Sequence, residues 1–325
     1  MKNRVLIQIT FNYETSVLEK DILQIGTKFF VPSKMKGKAI TGGSYRKYNE
    51  KKFIDGLVKE EKTDNGFIYG MKDELGNWVT FTKALHYVNV SMCLLDAVYD
   101  DKMIQIMNEI DTIVCKYNVI VARVCSLEDD FWQNNEDPQF YEVYGKSMEG
   151  IKTKYSTIYT GEQIIDVEYN PGHSHIANEI WFGSCWSMWF SKGYYKFIPK
   201  EVLESFKSCF KNDSLKDDVI KIVLHPRVWD FALTENREKQ WAFRRWTGID
   251  EVAHYYMNQS KISNDPAVSI DSEVNCQHGG LKRITYFFDN KDEIVPKSKA
   301  YKSKTYELDE TGTVIWSSEE LMENK

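Results

Sequence analysis

The chain has 325 residues, of which 42% are hydrophobic and 14% aromatic. This content excludes wholesale disorder, because a disordered chain has too few apolar side chains to offset the conformational entropy lost on folding. The formal net charge of -6 argues against a protein that binds duplex nucleic acid, which needs a basic face to neutralise phosphates.

Secretory and membrane-spanning segments are not expected in this sequence. The first apolar run, Val5–Thr10, is too short for the core of a signal peptide, and no later run reaches the ~18 apolar residues of a membrane span. The 6 cysteines contain no CxxC pair and predict reduced, mostly buried thiols. We therefore expect a soluble, cytoplasmic protein that does not contact a membrane.

Residues 1–126 predict an N-terminal α+β domain. Its strands follow from apolar residues at a period of two, and its helices from apolar residues three or four positions apart. The predicted elements are a strand at residues 4–11, a helix at 14–25, hairpin strands at 67–71 and 78–81, a helix at 101–117 and a strand at 119–125. This order is compatible with a split βαββαβ-like arrangement, and other α+β arrangements remain open.

A basic stretch interrupts these elements at residues 28–52, where 8 lysines and arginines face a single glutamate. Its glycines at 37, 42 and 43 predict a mobile loop. Basic side chains interleaved with tyrosines suit a phosphate backbone or an acidic protein, although many such loops are only solvated. The candidate partner-binding residues in this loop are Lys34, Lys36, Lys38 and Arg46.

Acidic residues cluster between residues 127 and 150, and we interpret this segment as a junction between two domains. Residues 151–325 predict a C-terminal, aromatic-rich α+β domain. We expect it to contain a mixed sheet, a long helix over Thr234–Met257 and a terminal β-hairpin that turns at Asp309–Gly312.

A possible metal site follows the Pro-Gly turn at residues 171–172. His173 and His175 are two positions apart, so on a strand both imidazoles would face the same side. Imidazole is a favoured ligand for zinc and iron, and Glu179 could supply a third ligand or a base. His225 or Asp230, at the end of a later predicted strand, could complete the ligand set. A surface position for the histidine pair is the simpler alternative.

The predicted long helix carries Arg237, Trp241 and Arg244 at positions i, i+4 and i+7. These residues lie along one helical face, where the guanidinium groups can contact the indole ring. Such a stripe suits a partner-binding surface, because arginine and tryptophan are enriched at interfaces. It suits equally an internal brace between the helix and a sheet.

Motifs of common enzyme classes are missing, including the Walker phosphate loop, HExxH and GxSxG. The chain instead combines an acidic body and a basic segment with 9 tryptophans and 19 tyrosines, which are strong interface anchors. We therefore favour a non-enzymatic, intracellular protein-binding inhibitor of the toxin-immunity or phage anti-defence kind, without a cofactor. The alternatives are a metal-dependent hydrolase or nuclease using His173, His175 and Glu179, and a nucleic-acid-binding protein using the basic loop.

Overall fold

The computed structural model describes residues 3–39, 44–63, 66–84, 86–158, 160–257, 264–272 and 275–322. The strands are β1 Arg4–Asn12, β2 Lys34–Ala39, β3 Arg46–Lys47, β4 Phe67–Lys72, β5 Trp78–Lys83, β6 Tyr87–Leu95, β7 Val119–Ser126, β8 Thr153–Tyr155, β9 Gln163–Ile165, β10 Ser174–Ala177, β11 Ile180–Gly183, β12 Ser187–Phe190, β13 Lys211–Ser214, β14 Ile220–Val223, β15 Val268–Ser272, β16 Lys282–Phe288, β17 Lys302–Leu308 and β18 Val314–Leu321. The helices are α1 Lys20–Thr27, α2 Glu50–Glu61, α3 Asp96–Lys116, α4 Leu127–Asn134, α5 Gln139–Val143, α6 Lys192–Tyr195, α7 Lys200–Ser205, α8 Thr234–Thr247 and α9 Ile249–Tyr256. Over these ranges, no helix combines the length and the apolar character needed to cross a membrane.

Ten strands form one antiparallel sheet in the order β13-β14-β12-β7-β1-β6-β5-β4-β2-β3. Strand β7 pairs with β1 on one side, where Val5 faces Ser126, and with β12 on the other, where Ser187 faces Val124. The sheet therefore includes strands from both sides of the segment 127–150. The division of the chain into two domains stays a prediction.

The central strands have apolar side chains on both faces of this sheet. Every residue of β7 is buried, as expected for a strand covered on two sides. Val5 of β1 belongs to the core that α3 helps to form, whereas Leu6 belongs to the core on the opposite face. Further along β1 that second face becomes polar, with Gln8 and Thr10, and there it lines a cavity beside the β10–β11 hairpin.

The C-terminal strands β15 to β18 form a second, four-stranded sheet. All three of its strand pairs are antiparallel, so this sheet is not mixed as the sequence had predicted. Strands β17 and β18 form the expected terminal hairpin around residues 309–313. Together with the helices, these sheets confirm the predicted α+β class.

The predicted long helix is divided in two at Gly248. This residue adopts φ 60° in the left-handed region and closes α8 by donating its N–H to Arg244 O at 2.9 Å. A side chain at position 248 would overlap Val268, so both the backbone angle and the packing require glycine. The break turns α9 into a new direction and brings Asp250 back toward Arg244.

The predicted mobile loop at residues 28–52 contains a regular strand. Residues Lys34–Ala39 form β2, which pairs with β4 near the edge of the large sheet. Gly37 fits there because any side chain at that position would overlap the Tyr69 ring. The residues 40–43, with two of the glycines that had suggested a loop, and the side chain of Lys38 lie outside the described part of the structure.

Candidate functional site

The candidate site is built around the turn that leads into β10. The Gly172 N–H donates to Gln133 Oε1 at 2.7 Å, and the Ser174 N–H donates to Asn134 Oδ1 at 2.7 Å. Both acceptors lie at the end of α4, so this helix holds the turn from two sides. The turn directs His173 inward, where only 2% of the residue is exposed.

Three side chains converge at this turn. His173 Nε2 lies 3.2 Å from His175 Nε2 and 3.3 Å from Asp250 Oδ1, and His175 Nε2 lies 3.4 Å from the same carboxylate oxygen. His173 Nδ1 lies 2.6 Å from Asn170 O, and because a carbonyl oxygen only accepts, Nδ1 carries the proton. In the neutral ring, the lone pair of His173 Nε2 therefore points into the cluster.

Arg244 extends from α8 into the same cluster with 1% of its side chain exposed. Its Nε donates to Asp250 Oδ2 at 3.0 Å, its Nη1 donates to His173 O at 2.7 Å, and its Nη2 contacts both Asp250 Oδ1 and His173 Nε2. The guanidinium thus forms a two-point ion pair with the carboxylate. Burial alone would raise the pKa of Asp250, but hydrogen bonds within the cluster and the charge of Arg244 hold it well below its usual value.

A second layer of polar groups connects this cluster to the surface. The His254 ring lies 4.9 Å from the His175 ring, and His254 Nε2 lies 3.7 Å from Glu168 Oε1. The Trp241 ring packs on the other side, 6.4 Å from the His173 ring. The polar groups therefore extend from the buried guanidinium to a glutamate at the rim of a cleft.

The structure brings His173 and His175 together but places Glu179 elsewhere. Glu179 lies in the turn between β10 and β11, where its Oε2 accepts the N–H of His86 at 3.2 Å. Asp250 stands in the third position of the cluster instead. His225 also lies apart, with Nδ1 2.8 Å from Arg227 O, and burial lowers its pKa to about 4.

The arginine and tryptophan stripe of α8 is directed into the protein. Arg237 forms a salt bridge of 2.6 Å with Asp129 of α4 and donates to Gln240 at 2.9 Å. Arg244 is buried in the cluster described above, and Trp241 is half-buried beside it. The contacts of the two arginines brace α8 against α4 and the turn that leads into β10, so Arg244 is not available to a partner at the surface.

The basic candidates lie at the far edge of the large sheet, on β2 and β3. Lys34 forms a salt bridge of 3.1 Å with Glu74, and Lys36 Nζ lies 5.3 Å from the centre of the Tyr45 ring. Arg46 is exposed on β3. These residues form a surface patch that is separate from the histidine cluster.

A cleft of about 1040 Å³ opens directly beside the cluster, and His175 forms part of its wall. Its exposed apolar residues are Tyr155, Ile158 and Ile176, with 69%, 80% and 60% of their surface accessible. The carboxylates in its lining are Glu136, Asp137, Glu162 and Glu168. Among the described residues of that lining, the basic side chain besides His175 is Lys154, which pairs with Asp166 at 3.0 Å. We refer to this region as the acidic cleft.

A smaller cavity of about 270 Å³ lies on the other side of the β10–β11 hairpin. Ile176 lines both this cavity and the acidic cleft, so the hairpin stands between them. Arg123 at its floor donates to Gln8 Oε1 at 2.7 Å and pairs with Asp130 at 2.7 Å. The guanidinium in this cavity is therefore already neutralised by the chain itself.

No protein-family model and no curated protein matches the sequence. Among solved structures, the chain is similar to the T6SS protein PA0821 of Pseudomonas aeruginosa, with a TM-score of 0.42 and 9% sequence identity. The alignment covers 75% of this chain and 72% of that protein. A similarity at this level carries no argument about function.

Proposed function

We propose that this chain is a protein-binding inhibitor that holds a basic, extended segment of its target in the acidic cleft. The observation that carries the proposal is the composition of the cleft, in which carboxylates surround exposed apolar side chains. Exposed apolar side chains that share one cleft with a polar rim are the kind of surface that binds a partner.

The negative charge of the cleft favours a partner that carries positive charge. Glu136 and Glu162 are exposed at the rim, and the lysine of the lining is paired internally. A segment rich in lysine and arginine would meet the exposed carboxylates of Glu136 and Glu162 at this rim. The overall charge of -6 adds long-range attraction, which raises the association rate with a basic protein.

The apolar side chains would supply much of the binding free energy. Tyr155, Ile158 and Ile176 are each more than half exposed, so each has surface left to bury against a partner. Full burial of a large apolar side chain contributes about 1.5–3 kcal/mol. Tyrosine is also a frequent hot-spot residue, because its ring offers a large contact area at a low cost in conformational entropy.

An inhibitory role fits this arrangement better than catalysis. The histidine cluster beside the cleft contains groups capable of acid–base chemistry, but the lone pair of His173 Nε2 and both oxygens of Asp250 are engaged by Arg244. The exposed side chains of the cleft include carboxylates, isoleucines and a tyrosine, which are suited to contact with a partner. Inhibitors of the toxin-immunity or anti-defence kind need such a surface, complementary to a basic region of their target.

Charge reversal in the cleft tests the proposal. The variant Glu136→Lys/Glu162→Lys changes two exposed rim residues, and Asp55→Lys/Glu310→Lys makes the same change in net charge at two exposed positions outside the cleft lining. The probes are three 12-residue peptides with alternating leucines, whose other positions are Lys/Arg, Gln or Glu. Binding is measured by fluorescence anisotropy at low and high salt.

We expect the basic peptide to bind the wild-type protein most tightly, with an affinity that falls as salt increases. The cleft reversal replaces attraction by repulsion at two rim positions, which we estimate at about 2 kcal/mol, or about 30-fold in Kd. The control variant should change Kd by less than about threefold. Equal losses in both variants, or no preference for the basic peptide, would contradict the proposal.

The inhibitory role needs a separate test with the natural target. Each protein is used to capture partners from host cells. The candidate targets are the proteins that bind the wild-type chain and the control variant but not the cleft variant. Stoichiometric addition of the chain must then lower the candidate's own activity. A captured protein whose activity is unchanged would leave binding established and refute inhibition. A third variant, Lys34→Gln/Lys36→Gln/Arg46→Gln, should behave like the wild type with the basic peptide.

A further inference from the structure

The three converging atoms of the histidine cluster have the spacing of metal ligands. The distances among His173 Nε2, His175 Nε2 and Asp250 Oδ1 are 3.2, 3.3 and 3.4 Å. A tetrahedral ion with bonds of about 2.0–2.1 Å to nitrogen and oxygen separates its ligands by about 3.3–3.4 Å. The Nδ1–H of His173 donates to a backbone carbonyl, which is the contact that usually orients a metal-binding histidine.

We infer that Arg244 is the resident cation of this centre and closes a latent site for a divalent transition-metal ion. The guanidinium takes the lone pair of His173 Nε2 and both oxygens of Asp250, which are the electron pairs that a metal would need. An ion placed within bonding distance of these atoms would also lie in contact with the guanidinium. Like charges at that separation in a buried site repel strongly.

The guanidinium is held too firmly to yield this position easily. In addition to its two-point pair with Asp250, Arg244 donates to the backbone carbonyl of His173 at 2.7 Å. Displacement would break bonds on two edges of a side chain that is 1% exposed and would leave a buried charge without partners. The arginine therefore joins the turn before β10 to α8 and α9 in the way that a structural metal ion would.

The donor set defines the ions that could enter if the arginine were absent. Two imidazole nitrogens and one carboxylate oxygen suit borderline ions such as Zn²⁺ and Co²⁺, with water as a fourth ligand. His175 reaches the acidic cleft, which provides a route of entry and room for that water. Ca²⁺ and Mg²⁺ prefer sites made of oxygen ligands and should not bind.

The test compares the wild-type protein with Arg244→Met, in which an apolar chain of similar reach replaces the guanidinium. Each protein is titrated with Co²⁺ and followed by visible absorption, and Zn²⁺ is titrated by calorimetry. We expect Arg244→Met to bind one equivalent of either ion at least 100-fold more tightly than the wild-type protein. The matched control Arg244→Met/His175→Asn removes one ligand and should lose this binding.

Stability supplies a second measurement if the loss of Arg244 weakens folding. Zn²⁺ should raise the melting temperature of Arg244→Met but not that of the wild-type protein or of the double variant. Arg244→Gln, which keeps a donor for the His173 carbonyl, repeats the test with a smaller perturbation. The inference is overturned if the wild-type protein binds Zn²⁺ as tightly as the variant, or if the folded variants bind no metal. Neither result depends on the partner of the acidic cleft.

Discussion

Replacement of Asp250 by asparagine should destabilise the protein because it leaves the charge of Arg244 buried without its counter-charge. Removal of one partner from a buried ion pair typically costs about 3–5 kcal/mol. The Asp250 side chain retains 27% exposure, and asparagine keeps one acceptor oxygen, so we expect about 2–3 kcal/mol. Urea unfolding at pH 7, followed by tryptophan fluorescence and circular dichroism, measures this loss directly.

Two controls separate the ion pair from a general effect of the substitution. Asp55→Asn, at an exposed position on α2, should change the free energy of unfolding by less than about 0.5 kcal/mol. The double variant Arg244→Met/Asp250→Asn should lose less than the two single variants together, by at least about 1 kcal/mol, because it leaves no unpaired charge. A loss below about 0.5 kcal/mol in Asp250→Asn, or simple additivity in the double variant, would refute this account of the pair.

The difference in the free energy of unfolding between the wild-type protein and Asp250→Asn should depend on pH. The pKa of Asp250 in the folded protein lies below its ordinary value, so its contribution is fully present above pH ~4 and is lost as the pH falls toward the folded pKa. The difference between the wild-type protein and Asp250→Asn should therefore be constant from pH ~5 to 7 and shrink below pH ~4. A difference that instead grew on acidification would contradict the depressed pKa.

Three further predictions concern other parts of the fold. Gly248→Ala should lower the free energy of unfolding by about 2–4 kcal/mol, measured by urea unfolding, because it combines a left-handed backbone angle with an overlap on Val268. His225 has a pKa of about 4 in the folded protein. The free energy of unfolding of the wild-type protein should therefore fall by up to about 3 kcal/mol as the pH falls from ~6.5 to ~4. The variant His225→Gln should not show this fall. Glu307 is fully buried and accepts the N–H groups of Gln277 and His278 at 2.8 Å. Glu307→Gln should therefore lower the melting temperature more than the control Glu310→Gln, which lies at the exposed hairpin turn.

Local sequence signals were sufficient where the chemistry of a turn decides the structure. The terminal hairpin was predicted from the residues Asp309–Gly312, and there the Asp309 carboxylate accepts the N–H groups of Thr311 and Thr313 at 2.8 and 2.9 Å. Gly312 supplies the positive φ of 84° that this turn requires. All of these contacts lie within four residues, so the local sequence is sufficient to predict the turn.

Elements whose cause lies outside the segment were harder to predict. The segment Lys34–Ala39 contains three lysines and a glycine, which suggested a loop, but lysines are common on strands near a sheet edge and Gly37 is selected by the distant Tyr69 ring. Gly248 interrupts a helical pattern that continues on both sides of it. Val268 of the distant strand β15 occupies the space that a side chain at position 248 would need, and this packing cannot be read from the local sequence.

The candidate site shows the same limit. The spacing of His173 and His175 correctly suggested that their rings converge, because side chains two residues apart on a strand face the same way. The third member, Asp250, lies far along the chain and reaches the cluster only because α9 turns back at Gly248. Likewise, the period of Arg237 and Arg244 defined one face of α8 but could not show that this face contacts α4 and the turn before β10.

The pairing of β1 has a consequence for how this protein is made. β1 is complete at Asn12, but its two neighbours in the sheet begin only at Tyr87 and Val119. At ~5–20 residues per second, the ribosome needs roughly 4–20 s to deliver the first of these neighbours. During this interval β1 is an apolar strand with two unpaired edges in the nascent chain, and such edges can pair with another chain. A holdase chaperone that covers Arg4–Asn12 during this interval would keep β1 available for its two neighbours in the central sheet.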